Sequence, residues 1–177
     1  MRKFYSQAFE NTFTSMQCMG WTSLYDILDF DKEQLIKFQK GFTVHDKIID
    51  EKDKYFEVDQ KLKQEYDLNC HKLTIGFPYI SKMKMAGYNS RKVKGTIAAL
   101  TGCENAIEVY LVIFFHELTQ EWGYNREQVL ECYEQMKNNA LLYRQGMKND
   151  FVRTYFKGEL DLEIFLGDGY EEGSKKC

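Results

Sequence analysis

The segment 28-LDFDKEQLI-36 indicates the architecture of the chain, because a closely similar segment, 122-WGYNREQVL-130, follows it 94 residues later. Phe30 of the first segment corresponds to Tyr124 of the second. In both segments the aromatic residue completes a two-residue turn, Asp29-Phe30 or Gly123-Tyr124, at the predicted end of a helix. We expect each aromatic side chain to fill a corner between two helices.

Helix-capping residues follow both aromatic residues. Asp31 and Asn125 are good N-caps, because their side chains accept hydrogen bonds from backbone N–H groups that the first helical turn leaves free. Gln34 and Gln128 stand three residues later, where a glutamine completes a capping box. Each segment is therefore predicted to end one helix and begin the next.

Apolar residues at helical spacing extend outward from both corners. They predict helices over residues 3–28, 105–122 and 126–147 and a helix after Asp31, while the highly charged residues 46–66 are expected to form a solvated helix. The single proline among 177 residues suits long uninterrupted helices. The expected fold is mainly α, a duplicated helical-hairpin bundle.

Two further segments predict a small two-stranded β element. In 72-KLTIGFPYI-80, β-branched and aromatic residues surround a glycine and the proline, and 160-LDLEIFL-166 alternates apolar and acidic residues. Between them, residues 90–102 are expected to form a short helix with Ser90 as its cap and Gly102 as its stop.

Charge is distributed unevenly along the chain, which carries a net charge of −3. Residues 1–67, the predicted N-terminal helical hairpin, have a balance of −3, and residues 104–177, the predicted C-terminal hairpin with a β-like tail, have a balance of −6. Residues 68–103, a basic middle segment, have a balance of +6. We expect one compact domain, in which the three parts either neutralise one another or present a positive stripe to a polyanion and a negative face to a basic protein.

Composition bounds the remaining possibilities. A chain of 177 residues is long enough to bury a core, and 44% of its residues are hydrophobic. The longest apolar run, residues 109–115, falls short of the roughly 18 residues of a membrane span, and the first residues lack the apolar block of a secretion signal. Five scattered cysteines are expected to be reduced and buried. We expect a cytoplasmic protein without a membrane partner.

No catalytic motif appears in the sequence. His116-Glu117 begins like a zinc-protease helix, but the fourth residue onward is Gln120 rather than histidine. Glu117 and Glu121 are interpreted as a solvated helix face. Phosphate loops, dinucleotide fingerprints and nucleophile elbows are missing, and the histidines and cysteines lack the spacing of metal ligands. The sequence therefore predicts no enzyme, no catalytic residue, no metal and no cofactor.

A basic stretch, 82-KMKMAGYNSRKVKG-95, is the candidate binding site. Long cationic side chains beside an aromatic ring suit phosphate contact with base stacking, and they equally suit an acidic protein. The alternative is an ordinary exposed basic loop. The candidate partner- or nucleic-acid-binding residues are Lys82, Lys84, Tyr88, Arg91, Lys92 and Lys94.

A spaced pattern in the first part of the chain consists of Leu24, Phe30, Lys32 or Glu33, Leu35 and Phe38. With this pattern, over residues 1–45, the chain resembles the anti-CRISPR proteins of Firmicutes phages and prophages that inhibit type II-A Cas9. The remainder resembles them in size, in its Lys/Asn/Tyr-rich composition and in its acidic arms. The resemblance implies a stoichiometric inhibitor in the bacterial cytoplasm that binds the Cas9–guide RNA complex and blocks DNA binding or cleavage.

A second class of function stays open. A small DNA- or RNA-binding regulatory protein would act through residues 82–94. The repeated corner itself does not suit a DNA groove, because the second helix of the second copy carries Glu127, Glu131 and Glu134, which repel phosphate. The protein is expected to be a monomer or a homodimer.

Overall fold

The structure, a computed structural model, describes residues 2–46, 52–78 and 93–162. Along these residues the chain forms seven α-helices and one short π-helical segment, and no strand. The prediction of a mainly α fold is confirmed. The π-helical segment, Glu117–Glu121, continues the fifth helix without a break. The helices are α1 (Arg2–Leu28), α2 (Lys32–Asp46), α3 (Lys52–Tyr66), α4 (Cys70–Gly76), α5 (Val93–His116), α6 (Arg126–Gln145) and α7 (Asn149–Leu160).

The predicted first β-strand is wrong for its described part. Residues 72–76 belong to α4, which begins at an Asn69 N-cap whose side chain accepts a hydrogen bond from the Lys72 backbone N–H. The Thr74 hydroxyl donates to the Cys70 carbonyl at 2.8 Å, so the β-branched residue is accommodated within the helix. Local capping thus outweighs the strand preference of the side chains. Residues 79–80 lie outside the described residues.

The predicted second strand is also not formed where the structure describes it. Leu160 is the last residue of α7, and Asp161 then adopts a left-handed conformation with φ 49°. The Leu162 N–H donates to the Phe156 carbonyl at 3.2 Å, which closes the helix end. Residues 163–166 lie outside the described part of the chain.

Both predicted capping boxes are confirmed. The Gln34 N–H donates to Asp31 Oδ1 at 2.8 Å, and the Asp31 N–H donates to Gln34 Oε1 at 2.9 Å. At the second corner, the Gln128 N–H donates to Asn125 Oδ1 at 3.0 Å, and the Asn125 N–H donates to Gln128 Oε1 at 3.2 Å. Side-chain capping therefore fixes where α2 and α6 begin.

The backbone of the two corners is equivalent as well. The Phe30 N–H donates to the Leu24 carbonyl at 3.2 Å, and the Tyr124 N–H donates to the Leu118 carbonyl at 3.0 Å. Each bond joins residues six positions apart, one position more than the longer bond of a Schellman motif. The same 94-residue shift relates both pairs.

A left-handed residue precedes each corner. Asp29 has φ 53° and Gly123 has φ 70°. The same geometry occurs a third time, where Asp67 has φ 52° and the Leu68 N–H donates to the Leu62 carbonyl at 3.1 Å. The corner is therefore a local capping device that this chain uses repeatedly, and duplication of the whole hairpin stays a prediction.

Helices α1 and α5 pack side by side and run parallel. The Thr12 hydroxyl donates to the Cys103 sulfur at 3.2 Å, and further along α1 the backbone of Gly20 lies against the Tyr110 side chain. Residues later in α1 therefore contact residues later in α5. Because the two helices run in the same direction, the corners that follow them lie at the same end of the bundle.

Each helix that follows a corner packs on the other hairpin. From α2, Phe38 contacts Phe114 of α5 with ring centroids 5.5 Å apart. From α6, the Gln135 amide donates to the Asp26 carboxylate of α1 at 3.4 Å. The two hairpins are thus interlocked rather than separate.

The prediction that Gly102 ends a short helix is wrong. Gly102 lies inside α5, where a Cβ atom would stand 2.6 Å from the backbone oxygen of Tyr5. The glycine allows α1 and α5 to approach closely. Since α5 is continuous, the predicted boundary between residues 103 and 104 lies within a helix.

The core is shared by all three predicted segments of the chain. It includes Leu24 from the first, Phe77 from the second and Phe114 from the third. One described stretch, Ile97–Glu121, is long and apolar enough to cross a membrane by length and composition, and 56% of its apolar window is buried inside the fold. Within this fold the stretch is the central helix, which α1, α2, α3 and α4 surround.

Candidate functional site

The predicted binding residues fall mostly outside the described part of the chain. Lys94 stands in the first turn of α5, and its side chain is outside the described part. Lys72, the remaining cation of the basic middle segment, is exposed on α4. The predicted site therefore stays a prediction. The predicted binding residues that lie outside the described ranges are Lys82, Lys84, Tyr88, Arg91 and Lys92.

A groove with a volume of about 570 Å³ opens between α1, α3 and α5. It lies beside the parallel pair of α1 and α5, which approach closely where Gly102 meets the backbone of the lining residues Tyr5 and Phe9. Helix α3 supplies the opposite wall. The main lining side chains are Tyr5, Phe9, Glu10, Tyr55, Asn105 and Glu108.

One wall of the groove is a row of aromatic rings on α1. The Tyr5 and Phe9 rings are stacked with centroids 6.2 Å apart and an interplanar angle of 22°. The row continues to Phe13, whose centroid is 5.9 Å from that of Phe9 at 11°. Spacing of four residues places the rings above one another on the helix. These rings are half-buried, so part of their surface is open to a ligand.

Polar groups of α5 face this aromatic row. The Asn105 side-chain amide donates to the Tyr5 hydroxyl at 2.9 Å. Glu108 Oε2 lies 3.0 Å from His71 Nδ1, and the Glu108 side chain is 28% exposed. The contact with α4 holds the Glu108 carboxylate at the edge of the groove.

The electrostatic environment of the groove is negative. Burial raises the pKa of Tyr55, and the negative charges of Glu108 and Asp59 raise it further. Asp59 lies one helical turn from Tyr55 and is only 8% exposed. Lys63 pairs with one oxygen of Asp59 at 2.6 Å, while Oδ1 has no hydrogen-bond partner among the described residues. Such a site favours a cation over an anion.

The Glu117 carboxylate lies away from the groove residues named above and is buried, although the sequence predicted a solvated helix face. Its exposure is 2%, whereas Glu121 is exposed, so the interpretation as a solvated face holds only for Glu121. Trp122 Nε1 donates to Glu117 Oε1 at 3.3 Å, and Gly41 of α2 leaves room for the carboxylate. Glu117 is the first residue of the π-helical segment and stands three residues after the buried Phe114, so it continues the buried face of α5.

The described cysteines are poor nucleophiles. Burial raises the pKa of Cys18 to about 11 and that of Cys132 to about 12, and it raises the pKa of Cys70 as well. Cys103 is fully buried and accepts a hydrogen bond from Thr12. A thiol with a raised pKa forms little thiolate at neutral pH. Within residues 2–46, 52–78 and 93–162, no group of three or more His, Cys, Asp or Glu residues is placed to hold a metal ion.

The sequence alone did not identify the groove. Tyr5 and Phe9 lie in the predicted helix over residues 3–28, but Tyr55 and Glu108, which face them across the groove, lie about 50 and about 100 residues further along the chain. Only the packing of three helices brings these side chains together. The chain matches no protein-family profile, no curated protein and no solved structure.

Proposed function

We propose that this protein is a non-enzymatic inhibitor that binds a nucleic-acid-handling complex, with the Cas9–guide RNA complex of the bacterial cytoplasm as its partner. The observation that carries the proposal is the groove between α1, α3 and α5, which combines aromatic rings with carboxylates. These are binding groups for a basic protein surface. Inhibition is stoichiometric, by occupation of a surface.

The chemistry of the partner supports this assignment. Cas9 holds its RNA–DNA heteroduplex in a positively charged channel and contacts DNA through lysine and arginine side chains. A protein that presents Glu10, Glu108 and a row of aromatic rings competes with DNA phosphates for such side chains. The raised thiol pKa values fit a protein that acts by binding, because they leave the described cysteines unreactive.

The experiment titrates the purified protein against a fixed amount of Cas9–guide RNA complex and measures cleavage of target DNA. We expect cleavage to stop near one equivalent and the two proteins to co-elute in gel filtration, also after nuclease treatment. A variant with Glu10→Gln and Glu108→Gln is expected to inhibit at least ten-fold more weakly. The matched control, Glu127→Gln and Glu131→Gln on the exposed face of α6, is expected to inhibit like the wild type. Absence of both co-elution and inhibition would reject the proposal.

The alternative is a small DNA- or RNA-binding regulatory protein. The basic balance of residues 68–103 favours it. In a gel-shift titration, binding through Lys82, Lys84 and Arg91 should weaken steeply with salt, because each phosphate contact releases counterions. Replacement of the five basic residues between 82 and 94 by alanine should then abolish binding. Unchanged nucleic-acid affinity in that variant would reject this alternative.

A further inference from the structure

The geometry points to an arginine side chain of the partner protein as the occupant of the groove between α1, α3 and α5. This inference rests on the proposed function, since it specifies which group of the partner the site receives. The arginine would lie with its guanidinium plane against the exposed ring surface of Tyr5 and Phe9 and its N–H groups toward Glu108 and Glu10. Three properties of the groove support this occupant.

The first property is charge. The groove-lining side chains include two carboxylates, Glu10 and Glu108, and no described lining residue is basic. Asp59, one turn from Tyr55, is paired with Lys63 at 2.6 Å, so the negative charge of the groove rests on Glu10 and Glu108. A phosphate or nucleic-acid strand would be repelled here, so the groove discriminates for a cation.

The second property is the presence of hydrogen-bond acceptors besides the carboxylates. The Asn105 amide N–H already donates to the Tyr5 hydroxyl, so the amide oxygen is left to accept. The Ser6 hydroxyl similarly donates to the Arg2 carbonyl at 3.2 Å, and its oxygen keeps acceptor capacity. Arginine suits such a site, because its guanidinium offers five donors and no acceptor.

The third property is the aromatic row, because of which the groove is expected to bind arginine in preference to lysine or a metal ion. A guanidinium is planar and weakly hydrated and stacks on aromatic faces, whereas an ammonium is compact and strongly hydrated. A hard metal ion requires several oxygen ligands around one point, while one wall of this groove consists of aromatic rings. The volume of about 570 Å³ accommodates an arginine together with its neighbouring residues.

The test uses the isolated full-length protein and three capped tripeptides, Gly-Arg-Gly, Gly-Lys-Gly and Gly-citrulline-Gly. Citrulline keeps the shape of arginine and removes its charge. Binding is followed by NMR, with the signals of Tyr5, Phe9 and Asn105 as reporters of the groove. We expect the arginine peptide to bind at least five-fold more tightly than the lysine peptide, and the citrulline peptide to cause no saturable shift.

Variants locate the effect. Glu108→Gln keeps the size of the side chain, but it removes the charge and replaces one acceptor oxygen with a donor, so it should weaken arginine-peptide binding about ten-fold. Glu10→Gln should weaken it less, because Glu10 is exposed. Glu127→Gln on α6 is the control and should leave binding unchanged. Equal binding of the citrulline peptide, or shifts that map away from the groove, would overturn the inference.

The two proposals fail separately. If the arginine peptide binds the groove but the protein neither binds nor inhibits the Cas9–guide RNA complex, the arginine site stands and the choice of partner is wrong. If the protein inhibits cleavage and the double variant Glu10→Gln and Glu108→Gln inhibits equally well, the function stands and the arginine site is wrong.

Discussion

The rings of Phe30 and Tyr124, which occupy equivalent positions 94 residues apart in the chain, lie with their centroids 6.1 Å apart. The two corners of the fold are therefore not only similar but packed against each other. Trp122 strengthens this contact, since its ring centroid is 4.6 Å from that of Phe30. The corner contact ties the end of α1 to the end of the π-helical segment and closes one end of the bundle.

Phe30→Ala should destabilise the protein strongly. Phe30 is 1% exposed, so its removal loses the transfer free energy of a large ring and leaves a cavity, which together cost about 3–5 kcal/mol. Tyr124 is half-buried, and Tyr124→Ala should cost clearly less. Urea denaturation followed by circular dichroism measures both. Equal losses for the two variants would contradict the asymmetry of the contact.

The left-handed residues at the two corners predict opposite effects of substitution. Asp29 has φ 53°, a conformation that costs a side-chain-bearing residue free energy and that glycine adopts freely, so Asp29→Gly should stabilise by about 0.5–1 kcal/mol. Gly123 has φ 70°, and Gly123→Ala should destabilise by about 1 kcal/mol. The thermal midpoint of each variant checks the sign. Two shifts in the same direction would disprove the equivalence of the corners.

The close approach of α1 and α5 predicts that Gly102→Ala destabilises by about 1–3 kcal/mol, because the new methyl group would press on the backbone oxygen of Tyr5. Gly158 provides a matched control in α7, where a Cβ atom would meet nothing within 4 Å. Gly158→Ala should stabilise by about 0.5–1 kcal/mol through helix propensity. Chemical denaturation distinguishes the two outcomes, and a stable Gly102→Ala variant would show that the helices are further apart.

The buried Cys18 thiol predicts a loss of stability in alkaline solution. Burial raises the pKa of Cys18 from 9.0 to about 11, so the folded protein holds a proton that the unfolded chain releases. The contribution of this group is complete below pH 9 and declines as the pH rises from 9 to about 11, by an amount on the order of 2–3 kcal/mol. The free energy of unfolding, measured at several pH values, should fall less steeply for Cys18→Ala than for the wild type. Parallel curves would show that Cys18 does not contribute.

The same burial predicts slow thiol chemistry. Cys18, Cys70, Cys103 and Cys132 are buried, and a thiol that is both inaccessible and protonated reacts slowly with disulfide reagents. Peptide mapping by mass spectrometry, performed on native and urea-unfolded protein, reports each position separately. The described packing would be contradicted if these four cysteines were labelled as fast in the native protein as in the unfolded protein.

The sequence by itself determined the local features of the fold. Helix periodicity, the capping boxes at Asp31 and Asn125 and the aromatic corners were predicted correctly, because each depends on side chains within one or two helical turns. The strand predicted over residues 72–80 was wrong for its described part, because there the side-chain preference and the capping and burial pointed to different structures. The side chains favoured an extended backbone, while the Asn69 cap and the burial of Thr74 and Phe77 favoured α4.

Only the tertiary structure decided the features that join distant parts of the chain. Gly102 was predicted to stop a helix, because a glycine in sequence does not reveal that another backbone lies 2.6 Å from its missing Cβ. The inward turn of Glu117 and the groove formed by Tyr5, Tyr55 and Glu108 depend likewise on packing between helices. A linear sequence records which side chains are available, and the burial of apolar surface between the packed helices decides which of them meet.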